Sequence, residues 1–357
     1  MNETLGVIES SEEYHSNKAI GSTTCKAYMV NPVKAYKTWS GEIEMKESQA
    51  LIDGKLIHCL ILEPHVFNDE FHILGDGDIR YNKELVQHIE ENILNKRMVL
   101  YPQELLTPSG NLSSSKKAKE EIEAFKLKNG DCLFLTPAQY AEYKFYLNVK
   151  GKILITNEQY EYASKIAKKA LAYEFQMTTT MGVFTFTLQD AINNESAIME
   201  RSFYAWYNPD TGEVTKEKMT EDSIHVKTKP DIMLEVGKMI YVVIDVKSAI
   251  DASPDTVRSA GRLFYHLQEA HYTKILEAHG IKVYKFKFMF TGKEEWSTCQ
   301  DYEYGETTKD LGVQHFHKAM KMHRLAINGE VRETIFDGEK YDREPVVDVP
   351  NWLFYLD

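Results

Sequence analysis

The sequence predicts a mixed α/β fold, in which a central mixed sheet is flanked by helices and a helical insertion comes early in the chain. Residues 240–244 form an unbroken run of β-branched and aromatic side chains, which is typical of a strand buried on both faces. Residues 253–279 begin with Ser-Pro-Asp and end before Gly280, as a helix does. Residues 282–291 roughly alternate lysine with apolar side chains, which indicates a second strand.

The length of 357 residues suits one elaborated domain or two. We expect a single elaborated domain over 1–357 with four regions. They are N-terminal helices at 1–75, a helical insertion at 80–180, a sheet-bearing core at 195–295, and a C-terminal helix and tail at 300–357. The apolar end of the tail is expected to dock on its own domain or on a neighbouring subunit.

The composition excludes several classes of protein. At 43% hydrophobic and 27% charged residues, the chain is neither disordered nor membrane-embedded. No stretch approaches the roughly 18 apolar residues that span a bilayer, and the polar N-terminus does not resemble a signal peptide. We therefore expect a cytoplasmic protein, in the host cytoplasm if it is viral, with no membrane partner. The four cysteines contain no C-x-x-C pair, which argues against zinc and against a disulfide framework.

Helix signals recur along the chain. Asn31 and Pro32 predict a helix start, and Gly54 and His58 lie one turn apart on one face of a predicted helix. Cap, proline and periodicity signals predict helices at 33–39, 44–62, 83–94, 114–127, 137–147, 158–175 and 307–327. Aromatic and β-branched runs predict strands at 197–207 and 224–234.

Two aspartates are predicted to meet at the end of the central strand. A turn at 236–238 folds residues 239–247 back onto 232–235, and a hairpin of that length brings Asp231 beside Asp245. Asp245 and Lys247 are two residues apart, so both side chains leave the same face of the strand. Two carboxylates that share a site repel each other, and a divalent cation relieves the repulsion. Magnesium prefers such oxygen ligands, to which the Val246 carbonyl adds another.

The predicted helix at 253–279 carries a polar pair toward this site. Gln268 and Tyr272 are four residues apart and therefore neighbours on one helical face. Arg258 and Arg262 are expected within about half a turn of that face. Arginines beside an acidic metal site suit contact with phosphate groups.

The order Asp231, Asp245-x-Lys247, Gln268-x-x-x-Tyr272 resembles the PD-(D/E)XK nucleases of the RecB and lambda-exonuclease type, and the wider sequence is closer to the RecE (exonuclease VIII) family. This resemblance implies a metal site at both aspartates and a catalytic Lys247 that orients or deprotonates the attacking water. Gln268 and Tyr272 would orient the phosphate backbone or the catalytic groups. Two further metal-site residues follow from the resemblance, His58 in Gly54-Lys-Leu-Ile-His58 and Glu200.

The resemblance implies a magnesium-dependent exonuclease that acts on linear double-stranded DNA ends, 5′ to 3′, in phage- or prophage-type recombination. Manganese is expected to substitute for magnesium. A ring-like homo-oligomer and a single-strand annealing partner protein are implied as well. Two alternatives stay open: an endonuclease with the same site, and a non-catalytic DNA-binding scaffold.

The net charge of −12 opposes DNA binding by the whole surface. The charge is uneven, however, because residues 258–290 contain six lysines or arginines against two glutamates. A positive groove within an acidic body still binds a phosphate backbone. We expect DNA contacts from Arg258 and Arg262, and from Lys227 and Lys229 beside the first aspartate.

Overall fold

The structure, a computed structural model, describes residues 5–44, 48–76, 78, 81–179, 182–194, 197–294 and 298–330. The predicted docking tail lies outside the described residues. The chain divides into two compact units, one of Met1–Gly54 with Ile166–Asp357 and one of Lys55–Lys165. The fold is of the mixed α/β class that the sequence predicts. Among the described helices, none is both long and apolar enough to cross a membrane.

The chain begins with short helices of the first unit. They are α1 (Ser11–Ser16), α2 (Ser22–Val30), α3 (Pro32–Ser40) and α4 (Gln49–Leu62), the last of which continues into the second unit. The predicted start of α3 is confirmed, because the Asn31 side chain accepts a hydrogen bond from the Lys34 main-chain N–H and Pro32 occupies the first turn. Helix α4 begins later than predicted, at Gln49.

The second unit is mostly helical, as the sequence predicts. Its elements are α5 (Phe67–Glu70), β1 (Phe71–Ile73), α6 (Lys83–Ile93), β2 (Arg97–Leu100), α7 (Lys116–Asn129), β3 (Cys132–Leu135), α8 (Pro137–Val149), β4 (Ile153–Ile155) and α9 (Asn157–Leu171), which runs on into the first unit. The sequence predicts a short extended piece at 67–74, where β1 lies, but it does not indicate the parallel pairs β1–β4 and β2–β3. Strands of three or four residues carry too little periodicity to be recognised.

The first unit resumes with most of the strands. In order they are β5 (Glu174–Thr179), β6 (Gly182–Thr187), α10 (Leu188–Asn193), β7 (Ala197–Met199), β8 (Phe203–Tyr207), β9 (Val214–Thr215), β10 (Ile224–Thr228), β11 (Ile232–Gly237), β12 (Ile240–Ala249), α11 (Pro254–Ser259), α12 (Tyr265–Ala278), β13 (Lys282–Gly292), β14 (Cys299–Tyr302) and α13 (Glu306–Ile327). The central sheet has the strand order β14-β13-β12-β11-β7. Only β12 and β13 pair in parallel, so the sheet is mixed. Strands β10, β8 and β9 form a separate antiparallel sheet.

The hairpin of β11 and β12 has the predicted pairing. Ile232 lies opposite Ile244, so the residues one step further toward the strand ends are Asp231 and Asp245. Residues 241–246 of β12 are all buried, as expected for a strand between two neighbours. The register therefore fixes both aspartates at one end of the central strand.

Two predicted strands are each divided in the structure. The strand predicted at 197–207 is wrong, because Glu200 has a left-handed φ of 49° and turns the chain from β7 in the central sheet to β8 in the other sheet. The strand predicted at 224–234 is also interrupted. Pro230 supplies no main-chain N–H there, and Asp231 begins the approach to β11. Both breaks place acidic residues where two sheets diverge.

The continuous helix predicted at 253–279 is wrong as well. Helix α11 is followed by a 3₁₀ turn at Ala260–Leu263, and Phe264 has a left-handed φ of 54° before α12 begins. A left-handed residue ends the regular hydrogen-bond ladder and redirects the axis. Arg258 and Arg262 therefore precede the break and do not share a helical face with Gln268.

Helix α12 lies inside the first unit, and residues 266–272 along it are all buried. It packs against α13, where a Cβ on Gly312 would lie 2.2 Å from the main-chain oxygen of His266. The buried residues of α12 include Glu269, which is 6% exposed. Its Oε2 atom has no hydrogen-bond partner among the described residues. The pKa of Glu269 is raised to about 7, mainly by burial and also by Glu303 and Glu306, while the charge of Lys309 acts to lower it.

Glu269→Gln is expected to stabilise the protein at pH 8 but not at pH 4. The folded-state pKa is raised, so the wild-type protein loses stability as pH rises from about 4.5 through about 7, whereas glutamine stays neutral. The gain in the free energy of unfolding should reach about 3 kcal/mol above neutral pH. Urea unfolding at several pH values measures it, with the half-exposed Glu277→Gln on the same helix as control. A gain that does not change with pH would contradict the prediction.

Candidate metal centre

Asp231 and Asp245 come together at the end of β12, as predicted from the hairpin. The Val246 main-chain N–H donates to Asp231 Oδ2 at 2.7 Å. Asp231 is 7% exposed and Asp245 is 1% exposed, so both carboxylates are largely removed from water. Burial raises the pKa of Asp245 to about 6, and the negative charge of Asp231 acts in the same direction.

Lys247 forms an ion pair with Asp245 Oδ2, which confirms that both side chains leave the same face of β12. Burial acts to lower the pKa of Lys247, but the charges of Asp245 and Asp231 outweigh it, and the pKa is raised. Lys247 therefore stays an ammonium at neutral pH. Its Nζ lies 5.3 Å from the centroid of the Tyr265 ring, a contact that further favours the charged form.

Glu200 joins the aspartates from the end of β7, the strand that pairs with β11. Its main-chain N–H donates to the Asp231 carbonyl at 3.2 Å, and carboxylate oxygens of the two residues lie within 4.8 Å of each other. Lys229 pairs with Glu200 Oε2 at 2.9 Å, and both side chains are nearly buried. A non-glycine residue keeps a left-handed φ at some cost, and such strain is concentrated at functional sites.

Gln268 reaches the same carboxylate from α12. Its Nε2 donates to Asp245 Oδ1 at 2.6 Å. Its Oε1 accepts from Lys26 Nζ on α2, also at 2.6 Å. Lys26 belongs to the site although the sequence did not point to it, because 242 residues separate it from its partner. The only sequence signal was its position four residues after Ser22, on one face of a helix.

Tyr272 holds α12 to α2 one turn further along. It is 8% exposed, and the Ser22 side chain on α2 acts to lower its pKa. Burial outweighs this and raises the pKa of Tyr272 well above its usual value, and the charges of Asp245 and Asp231 act in the same direction. The hydroxyl therefore stays protonated. Its predicted catalytic role stays a prediction, while its contact with Ser22 supports the packing of the two helices.

The four basic residues predicted to contact DNA have different surroundings. Lys227 is 6% exposed, and its ammonium donates to the main-chain oxygens of Tyr14 and Asn17. This burial argues against a DNA contact by Lys227. Lys229 faces Glu200 in the site, whereas Arg258 is exposed and pairs with Asp255 at 2.9 Å. Arg262 is exposed in the 3₁₀ turn, so DNA contact by the two arginines stays a prediction.

His58 lies on α4 in the second unit. Gly54 precedes it by one turn and belongs to the first unit, where a Cβ at Gly54 would lie 3.4 Å from Ser248 Oγ. The absence of a side chain at Gly54 lets the first-unit part of α4 approach Ser248 on β12. The role of His58 as a metal ligand stays a prediction.

The acidic groups of the first unit suit a hard divalent cation. Glu200 and Asp231 place carboxylate oxygens within 4.8 Å of each other, and Asp245 adds a carboxylate opposite Asp231 at the end of β12. The Val246 carbonyl as a further ligand stays a prediction. An all-oxygen donor set favours magnesium or manganese over softer metals. Burial, with the charge of Asp231, raises the pKa of Asp245 and so disfavours its charged form, and a bound cation would favour that form again.

No protein family and no curated sequence matches this chain. Among solved structures, it is similar to one from Eubacterium rectale described as a "Putative exonuclease". The two chains are 12% identical, the match covers 96% of this chain and 97% of that one, and the TM-score is 0.47. Function is therefore inferred from the geometry of this chain's own residues.

Proposed function

We propose that the protein is a metal-dependent nuclease of the PD-(D/E)XK type, which hydrolyses phosphodiester bonds in DNA. The observation that carries the proposal is the convergence of Asp231, Asp245 and Lys247 at the end of β12. The Val246 N–H fixes one carboxylate, and the ammonium of Lys247 pairs with the other. Carboxylates with a lysine two residues later on one strand are the arrangement that this chemistry needs.

The cation would be held by Asp231, Asp245, the Val246 carbonyl and Glu200. When bound, it would supply a Lewis acid for the phosphodiester and lower the pKa of a water molecule. Lys247 contributes a positive charge beside the reacting phosphate and a donor that orients the attacking water. Gln268 holds Asp245 in a fixed orientation through its hydrogen bond. Lys229 pairs with Glu200 and limits the repulsion among three neighbouring carboxylates.

We further propose that the substrate is linear double-stranded DNA, degraded from its ends in the 5′ to 3′ direction during recombination. This specificity is carried over from the RecE-like sequence pattern around His58 and Asp231. A ring-like homo-oligomer and a single-strand annealing partner belong to the same proposal. Light scattering of the purified protein tests the oligomer, since a monomer at micromolar concentration would exclude the ring.

The decisive experiment incubates purified protein with linear and covalently closed duplex DNA, in magnesium, manganese or EDTA. Metal-dependent loss of linear DNA alone is expected, and 5′- or 3′-end labels then report the direction. Cleavage of both DNAs would instead identify an endonuclease. Metal-independent DNA binding without any product, across several divalent ions, would identify a non-catalytic scaffold and refute the proposal.

A further inference from the structure

Helices α2 and α12 meet through two matched pairs of polar residues. Ser22 and Lys26 are four residues apart on α2, and Tyr272 and Gln268 are four residues apart on α12. Ser22 lies close enough to Tyr272 to act on its pKa, and Lys26 Nζ donates to Gln268 Oε1 at 2.6 Å. The second pair continues into the site, so an ammonium, an amide and the Asp245 carboxylate form one chain of hydrogen bonds.

This chain of hydrogen bonds forms in only one of the two orientations of the Gln268 amide. A glutamine side chain has an oxygen acceptor at one corner and an N–H₂ donor at the other, and rotation by 180° exchanges them. The Lys26 ammonium can only donate, so the amide oxygen must face it in the charged form. The N–H₂ group must then face Asp245, which as a carboxylate can only accept. A rotated amide would place its oxygen against the carboxylate and repel it.

A positive charge on Lys26 is costly at this buried position. Burial lowers the pKa of Lys26 to about 7, helped by the nearby charge of Lys247, so the ammonium is fully formed only below neutral pH. The charge of Asp245 opposes this shift, and the Tyr265 ring lies 4.8 Å from Lys26 Nζ. A methionine would fill the same space without the desolvation cost of a cation. Packing between α2 and α12 alone therefore does not require a lysine.

We propose that Lys26 is a positioning residue of the nuclease site, whose ammonium holds the Gln268 amide in the one orientation that donates to Asp245. The inference rests on the proposed function, because the Asp245 carboxylate is taken to bind the metal. Lys26 acts on the Asp245 carboxylate through Gln268. Removal of the ammonium should therefore change the orientation of that carboxylate and its affinity for metal more than it changes DNA binding.

The test compares Lys26→Met with Lys34→Met, a change at an exposed lysine on α3. Lys26→Met is expected to lower both kcat on linear duplex DNA and Mn²⁺ affinity by about 10- to 100-fold, as changes behind metal ligands do. KM should change by less than about threefold, since DNA binding is not altered. Lys34→Met should match the wild type. A raised KM with unchanged kcat, or wild-type values throughout, would overturn the inference.

A double-mutant cycle that combines Lys26→Met with Gln268→Ala isolates the contribution of the contact between these two residues. If Lys26 acts only through the amide, the double variant should lose no more activity or Mn²⁺ affinity than Gln268→Ala alone. Additive losses would overturn the inference. Thermal unfolding of each variant verifies the fold, and Lys26→Leu, which also lacks a donor, replaces Lys26→Met if the latter does not fold. Should the wild type fail to cleave DNA, the proposed function fails, and the cycle in Mn²⁺ affinity still tests Lys26.

Discussion

Asp245→Asn is expected to reduce metal-dependent DNA cleavage by about 10³-fold, which corresponds to about 4 kcal/mol of transition-state stabilisation. Asparagine has nearly the same shape but no negative charge, so it weakens the attraction for a cation and the pairing with Lys247. Lys247→Met should cause a loss of similar size for a different reason. It removes the donor beside the reacting phosphate while both carboxylates remain.

Metal binding separates the two variants. A cation that binds only the folded protein raises the melting temperature by mass action. The wild type and Lys247→Met should therefore melt at higher temperature in magnesium than in EDTA, and Asp245→Asn should show a much smaller difference. Lys282→Met, at an exposed lysine on the neighbouring strand β13, and Asp255→Asn, at a carboxylate that is 89% exposed, are the matched controls. Full cleavage by Asp245→Asn would remove the proposed mechanism.

The parts of the site that the sequence predicts are those set by local geometry. The two-residue period of a strand places Asp245 and Lys247 together, and a tight hairpin places Asp231 beside them. Helical spacing correctly puts Gln268 on the face that meets Asp245. Each of these relations depends on a few consecutive residues and a regular backbone, so a sequence pattern carries enough information.

The parts that the sequence did not predict depend on irregular backbone or distant contacts. The left-handed φ values of Glu200 and Phe264 break a predicted strand and a predicted helix, and no glycine marks either position. The contact of Lys26 with Gln268 joins residues 242 apart in sequence, and it follows only from the packing of α2 on α12. Lys227 and Lys229 both lie just before Asp231 in the sequence. Only the structure shows that the ammonium of Lys227 is directed inward, whereas that of Lys229 pairs with Glu200.

Gly312→Ala is expected to destabilise the first unit by about 3 kcal/mol, since an added methyl group has no space between α12 and α13. The new Cβ would lie 2.2 Å from the His266 main-chain oxygen and 2.8 Å from the carbonyl carbon. Backbone atoms cannot rotate away, so the helices must separate. The melting temperature should fall by roughly 5–10 °C. Gly305→Ala, at a position with no atom within 4 Å of the added Cβ, should lower it far less.

The same substitution connects packing to the site, because Gln268 follows His266 by two residues on α12. Separation of the helices would shift the Gln268 amide away from its 2.6 Å hydrogen bond with Asp245. Small displacements of positioning groups lower rates strongly, by as much as about 10²-fold for 1 Å. Gly312→Ala should therefore lose cleavage activity at temperatures where circular dichroism finds it fully folded. Wild-type activity in the folded variant would mean that α13 absorbs the whole displacement and that α12 is fixed by its other contacts, with α2 and the sheet.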